Sequence, residues 1–339
     1  MRKVTLGRTG LEVSAVGFGG IPIQRVSEAD AARAIHAALD LGVTFIDTAA
    51  GYSDSQQKIG AALEGRPEKV ILASKSGATT KADALGDIER ACAEMRIGHI
   101  DLYQLHGVNS PDRRDAMLGS GGALEGLLEA RDRGLIGHIG FTSHSLDLAL
   151  ELVEVPEFET VQFPFNLVTS EPADALIPKA RERGLGFIVM KPLCGGQYSD
   201  APLAFKFLNG YPDLVPIPGI ERPEEIKEIV GVVESGSLLE GESKKRAEQV
   251  ARELGKRFCR RCGYCEPCPN GVPCQVTMIF DSLVARLTPE GVAGTAARVA
   301  ETAPICTECG ECEAKCPYDL PIMETVKATL AKAQTLLAK

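Results

Sequence analysis

The sequence predicts an α/β chain in two parts: a parallel (β/α)₈ TIM barrel, then a smaller, mostly helical unit rich in cysteine. Three observations carry this. The chain has 339 residues, which exceeds the roughly 250 of a typical barrel by enough for a second small unit. Short β-branched runs alternate with amphipathic helical stretches eight times, the strand-then-helix pattern of a parallel sheet. Nine of the 11 cysteines fall between Cys259 and Cys316, where proline and glycine also rise and the barrel periodicity stops.

Taken in order, Leu6-Gly-Arg-Thr-Gly-Leu11 reads as a hairpin turn plugging the barrel floor. Strands are expected near Ala15–Phe18, Thr44–Asp47, Val70–Lys75, Ile100–His106, Ile136–Thr142, Thr160–Phe163, Gly186–Met190 and Leu214–Pro218. Helices follow them near Glu28–Leu41, Gln56–Leu63, Lys81–Arg96, Ala123–Arg133, Leu146–Val153, Pro172–Arg183, Ala201–Leu208 and Pro223–Glu234. Gly42, Gly98, Gly134 and Gly184 each follow a helix and are expected as C-terminal caps. Gly119–Gly122 reads as a turn before a helix, since no Lys-Ser/Thr follows to make a phosphate loop. An open doubly wound sheet would share the same alternation. The charged stretch Leu238–Lys256 reads as a helical hinge, so the division expected is residues 1–237 and 238–339. Beyond it, helices are expected at Gly291–Ala300 and Met323–Lys339.

Composition excludes several classes. Lys plus Arg is 37 against 46 Asp plus Glu, a formal net charge of −9, unlike the basic patches of a phosphate-backbone binder. The first ten residues carry charge and no apolar core of an export signal, and no run of about 18 apolar residues exists to span a membrane. The expectation is a cytoplasmic protein that binds no nucleic acid. Clustered cysteines in such a chain read as metal ligands before disulfides.

Residues at the C-terminal ends of barrel strands face the active site. Here those ends supply Asp47, Lys75 and His106, and the loop after Asp47 supplies Tyr52. Each alone has a plain alternative: a helix N-cap for Asp, a solvated chain for Lys. Together they suit carbonyl reduction. A tyrosine holds its proton at neutral pH, and a nearby ammonium favours its phenolate and so makes it a better acid. Asp can hold the Lys, and His can donate to the carbonyl oxygen.

These residues stand in recognisable motifs. Leu6-Gly-Arg-Thr-Gly-Leu-Glu-Val-Ser14 with Gly17-Phe-Gly-Gly20, Asp47-Thr-Ala-Ala-Gly-Tyr52 with Ile59-Gly60, and Asp101-Leu-Tyr-Gln-Leu-His106 resemble the motifs of the aldo-keto reductases over about residues 4–235. The resemblance implies a TIM barrel, a tetrad of Asp47, Tyr52, Lys75 and His106, a small carbonyl or alcohol substrate, and NAD(H) or NADP(H) as cofactor. It also implies nicotinamide contacts from Ser143, His144, Gln162 and Asn166. Met190 stands where many members stack a tyrosine on the ring, and a thioether can still pack there. Gly219, Arg222 and Glu225 fall in the segment matching the family's adenosine-phosphate site, where members preferring NADP usually carry Lys, a small hydroxyl residue and Arg. With Arg222 the one cation nearby, NAD(H) is favoured.

The cysteines form two runs, Cys259-x₂-Cys262-x₂-Cys265-x₂-Cys268-Pro269 and Cys306-x₂-Cys309-x₂-Cys312-x₃-Cys316-Pro317. The second matches the bacterial ferredoxin spacing. Zinc is the alternative ion, since paired CxxC sets can make a tetrahedral sulfur site. Three cysteines in successive CxxC steps, twice, each run ending in Cys-Pro, favour iron–sulfur. The region resembles a two-[4Fe–4S] ferredoxin module, which implies crossed ligation. One cluster takes Cys259, Cys262, Cys265 and Cys316; the other takes Cys268, Cys306, Cys309 and Cys312. Cys274 reads as a packed thiol or a substitute for Cys268. Cys92 reads as core, and Cys194 as a packing residue or a reactive thiol near the barrel mouth.

Three functions fit. The first is a nicotinamide-dependent carbonyl reductase whose clusters are structural or regulatory. The second is an electron relay, with a flavin or an electron-transfer protein joining clusters to barrel. The third is a redox-responsive binding module with a relic tetrad. The complete tetrad speaks against the last, and the altered cofactor segment keeps it open.

Overall fold

The computed structural model describes residues 1–66 and 69–338. The chain divides into two compact units, the first Met1–Ser243 and the second beginning at Lys244. The division expected after residue 237 lies just before that boundary.

The first unit opens with a hairpin. Strand β1 (Lys3–Thr5) pairs antiparallel with β2 (Glu12–Ser14), Val4 opposite Val13. At its tip Gly7 adopts a left-handed φ of 53°, and a Cβ there would lie 2.1 Å from the Gly186 amide nitrogen. Only glycine tolerates both conditions. The Arg8 amide donates to the Gly184 carbonyl at 2.7 Å, so the tip packs at the N-terminal end of the strand that starts at Gly186. This is the floor plug the turn residues imply.

Eight parallel strands follow: β3 (Phe18–Gly19), β4 (Phe45–Asp47), β5 (Ile71–Ser76), β6 (Ile100–Leu105), β7 (Ile136–Thr142), β8 (Thr160–Pro164), β9 (Gly186–Met190) and β10 (Val215–Pro216). Each pairs with the next in chain order. The last meets the first through Gly17 N–H to Pro216 O at 2.9 Å, Gly19 N–H to Pro218 O at 2.8 Å and Ile220 N–H to Gly19 O at 3.3 Å. The sheet is therefore a closed (β/α)₈ barrel, not an open sheet. Its strands are buried on both faces, β5 over its whole length, which is why they read as continuous apolar runs.

Helices α1 (Glu28–Asp40), α2 (Ser55–Leu63), α3 (Lys81–Met95), α4 (Pro111–Leu118), α5 (Ala123–Asp132), α6 (Leu146–Leu152), α7 (Leu176–Glu182), α8 (Ala201–Leu208) and α9 (Pro223–Ser235) connect the strands. Ser27, Thr80 and Ser145 accept the amides of Asp30, Asp83 and Leu148 at helix starts, contacts each worth about 1 kcal/mol. Gly42, Gly134 and Gly184 take the left-handed conformation expected of caps. Gly98 does not. Helix α3 ends earlier, with Arg96 itself left-handed at φ 57° and its amide returned to Ala93 O. Helix α4 is absent from the sequence reading, although Ser110 caps it and Pro111 opens it. The single helix expected over Pro172–Arg183 is split into a short 3₁₀ turn, Glu171–Ala173, and α7. Pro178 explains the break: a helix continued backwards would drive its ring into the Asp174 carbonyl.

The second unit is helical. Helix α10 (Gly241–Gly255) leads into it, followed by α11 (Cys274–Met278), α12 (Phe280–Val284), α13 (Pro289–Thr302), α14 (Glu311–Ala314) and α15 (Ile322–Leu337). A small core of Val272, Met278, Phe280, Ala296, Val299, Leu320, Ile322 and Val326 lies between α11, α13 and α15. The Thr329 hydroxyl donates to the Thr277 carbonyl at 3.1 Å and ties α15 to α11.

Candidate active site and cysteine-lined hollows

Parallel pairing sets the first site. Asp47 closes β4 and pairs in register with Ala73 of β5, and Lys75 two residues on pairs with Gln104 of β6. Two residues is one repeat of the strand, so Lys75 keeps the same face and reaches Asp47. Its Nζ lies 2.6 Å from Asp47 Oδ1 and 2.6 Å from the Thr48 carbonyl. Both side chains are buried, Lys75 completely. Burial pushes the Asp47 carboxyl above its ordinary range, against the pull of the Lys75 ammonium and the Gln162 and Gln104 amides.

Tyr52 sits in a tight turn, its amide donating to Ala49 O at 3.0 Å and its carbonyl accepting from Ser55 at 2.9 Å. Ser53 beside it has a left-handed φ of 39°. The half-buried Tyr52 ring lies 5.2 Å from Lys75 Nζ and meets the His106 ring edge-on, centroids 5.8 Å apart at 81°. All four residues expected at the strand ends are thus gathered at one place.

Sequence reasoning left out Gln104. It is fully buried, donates to Gln162 Oε1 at 2.9 Å and lies 3.5 Å from Asp47 Oδ2. The signal was available: Gln104 shares the inward face with His106 by strand alternation.

The residues expected around the nicotinamide are placed less uniformly. Ser143 is buried, with its hydroxyl donating to Val108 O at 2.7 Å and accepting the Ser145 amide at 3.1 Å. Gln162 is turned inward to Gln104. Asn166 holds its own loop, accepting the Val168 and Thr169 amides at 2.9 Å each and donating to Lys191 O at 2.9 Å. His144 is half-buried, with Nε2 2.5 Å from Lys191 Nζ. Lys191, which the sequence reading passed over, is left-handed at φ 56° immediately after β9. Met190 is partly exposed at the end of that strand. Cys194 is buried, its thiol 3.4 Å from Asn166 Oδ1, a packed position. Cys92 is core, as expected.

At the third group, Gly219 bridges Gly19 where the barrel closes. Arg222 and Glu225 bind each other, Arg222 Nη2 to Glu225 Oε1 at 2.6 Å. The second Glu225 oxygen accepts the amides of Glu221 and Arg222 at 3.0 and 3.2 Å. Glu225 is therefore the capping residue of α9.

In the second unit the cysteines ring two hollows. One is lined by Cys259, Cys262, Cys265 and Cys316. The other is lined by Cys268, Cys306, Cys309 and Cys312, with Cys265 and Cys274 also on its wall. The last cysteine of each run thus stands with the first three of the other. Both runs repeat one backbone pattern. Arg261 and Gly263 are left-handed around Cys262, as Glu308 and Gly310 are around Cys309. Turns of this kind aim successive amides into a concavity that suits an anionic group. Burial, with Glu266 and the neighbouring thiols, pushes the Cys265 thiol up to about 12. Cys274 is buried and is likewise raised. Among the described residues no three Cys, His, Asp or Glu side chains converge tightly enough for a single metal ion. Four thiols around each hollow are a donor set for a cubane.

Comparison with known proteins agrees with both parts. The model of the Aldo/keto reductase family matches residues 15–203, more than half of the chain. The chain belongs to this family. A 4Fe-4S dicluster domain matches residues 258–321. Aldo-keto reductase YhdN of Bacillus subtilis (strain 168) is 28% identical over 215 residues, 58% of this chain and 63% of the relative. The uncharacterized oxidoreductase YqkF of the same organism is 26% identical over 217 residues, 60% of this chain and 68% of the relative. The chain thus spans just under two thirds of YhdN's length. An aldo-keto reductase from Klebsiella pneumoniae solved in complex with NADPH superposes with a TM-score of 0.63 at 20% identity, covering 74% of this chain and 95% of that one. The holo form of an aldo-keto reductase from Bacillus halodurans gives 0.62 at 22%, covering 75% and 96%. At such identities the likeness is one of fold. Among the described residues no helix is long and apolar enough to cross a membrane.

Proposed function

We propose that this chain is an oxidoreductase of aldo-keto reductase type that interconverts a carbonyl and an alcohol and holds two [4Fe–4S] clusters. One observation carries the reading: a fully buried Lys75, fixed by Asp47, stands 5.2 Å from the ring of Tyr52 with His106 at that ring's edge. Tyr52 gives its proton to the carbonyl oxygen in reduction and takes it back in oxidation. The Lys75 ammonium, close to that ring, steadies the charge that develops on the tyrosine oxygen during the transfer. Asp47 holds Lys75 in place, and His106 orients the substrate oxygen. A nicotinamide dinucleotide, when bound, supplies or receives the hydride.

NAD(H) is the favoured dinucleotide. Glu225 stands in the segment that the family resemblance assigns to the adenosine phosphate, and it already occupies the Arg222 guanidinium. A phosphate would have to displace a carboxylate to reach Arg222, whereas a free ribose hydroxyl would meet an acceptor.

A second reading has one observation in its favour. Cys309 is exposed, so the cluster it would ligate lies within reach of an outside electron-transfer protein. In that case the clusters relay single electrons, and a flavin or partner protein must convert them to pairs. None of the 11 cysteines is in a disulfide, and cluster-ligating thiolates suit a reducing compartment such as the cytoplasm. The deciding experiment is anaerobic turnover of a carbonyl panel with NADH or NADPH alone. Turnover without a carrier supports the first reading; turnover only with reduced ferredoxin or flavodoxin replaces it with the second.

A further inference from the structure

The two hollows have matching sulfur sets but differently charged walls. The residue after the first cysteine is Arg260 in one run and Thr307 in the other, and each lines its own hollow. The guanidinium carbon of Arg260 lies 3.8 Å from the centroid of the Tyr318 ring. Its Nη1 donates to the carbonyls of Gly255 and Phe258, both at 3.3 Å. Arg260 is half-buried, so water screens it only in part. The cation at the other hollow, Lys315, is exposed and pairs with Glu311 at 3.6 Å.

We propose that Arg260 sets the reduction potential of the cluster held by Cys259, Cys262, Cys265 and Cys316, with Tyr318 as the platform that pins its guanidinium at the wall. This rests on the crossed-ligation reading above. The physical reason is charge. Reduction adds one electron, and so one negative charge, to a set of four thiolates. A fixed cation stabilises the reduced form more than the oxidised one and raises the potential. Arginine keeps its charge at every accessible pH.

The test is potentiometric titration with dithionite, followed by electron paramagnetic resonance, on the full chain purified without oxygen. Iron and acid-labile sulfide are counted first, and Cys316→Ser identifies which signal belongs to the first hollow. Arg260→Gln is expected to lower that cluster's reduction equilibrium constant about ten-fold, 59 mV for a one-electron step, and to leave the other signal in place. Arg260→Lys should retain most of the potential, and Tyr318→Leu should lose part of it. Full iron and sulfide with an unmoved potential overturns the inference, as does a shift confined to the other cluster. If Arg260→Gln fails to assemble, Tyr318→Leu decides alone: a lowered potential supports the inference and an unchanged one overturns it. A wild-type chain without eight iron and eight sulfide, four for each cubane, overturns the ligation reading itself, a result distinct from an unmoved potential.

Discussion

The ammonium of Lys75 lies 2.6 Å from the carboxylate of Asp47, and solvent reaches almost none of either side chain. Removing one partner strands the other charge, at a cost of about 3–5 kcal/mol. Asp47→Asn should therefore destabilise the barrel by that amount in urea unfolding. It should also change the pH profile. Burial raises the Asp47 carboxyl in the folded chain, so the folded chain keeps this proton where the unfolded chain has lost it. The resulting stability is full below the unfolded value and declines as pH rises through the folded one. Asp47→Asn should lack that decline, and an unaltered profile would count against a raised Asp47.

Tyr52→Phe removes the hydroxyl and keeps the ring against His106. Carbonyl reduction should fall ~10²–10⁴-fold, the usual worth of general acid catalysis, with dinucleotide affinity nearly unchanged in fluorescence titration. Full activity in Tyr52→Phe would move the chemistry elsewhere, most simply to the clusters.

Glu225→Arg should shift preference toward NADPH. One charge-assisted contact is worth ~1.5–3 kcal/mol, so exchanging repulsion for attraction predicts ten-fold or more in the ratio of dissociation constants. Helix α9 loses its cap in the same change, and a fall in melting temperature should accompany the shift. Tighter binding of NADPH than NADH by the wild-type chain would transfer phosphate recognition to Arg222 and the start of α9.

Cys316→Ser should damage the cluster of Cys259, Cys262 and Cys265, because those three share its hollow. Mössbauer or paramagnetic spectra should keep the signal that depends on Cys306, Cys309 and Cys312. Loss of that second signal alone would mean local ligation. Zinc at one or two equivalents with no sulfide would end the iron–sulfur reading.

Much of the barrel was legible because strands buried on both faces leave uninterrupted β-branched runs, and β7 and β9 stand where those runs place them. The four polar residues were legible because a charge at the end of an apolar strand has few structural reasons to be there. What escaped was set by contacts that periodicity does not encode. Pro178 splits a helix whose apolar spacing is otherwise continuous. Arg96 takes the left-handed turn that Gly98 was expected to provide, because α3 stops one residue sooner and closes with the Arg96 and Ile97 amides on the Ala93 and Cys92 carbonyls. Gln104 acquires its meaning only from Asp47 and Gln162, which arrive from strands on either side of it in the barrel.

The exchange of final cysteines between the two hollows has a bearing on how the protein is made. A ribosome completes Cys259, Cys262 and Cys265 well before Cys316 emerges, so the earlier three thiols leave the exit tunnel without their fourth companion. The first cage waits for Cys316, while the second draws on a Cys268 made before its other three thiols. On this ligation a nascent chain stalled between residues 268 and 306 would offer the iron–sulfur assembly machinery three thiols of one cage and one of the other, two incomplete acceptors where local ligation would give one finished set.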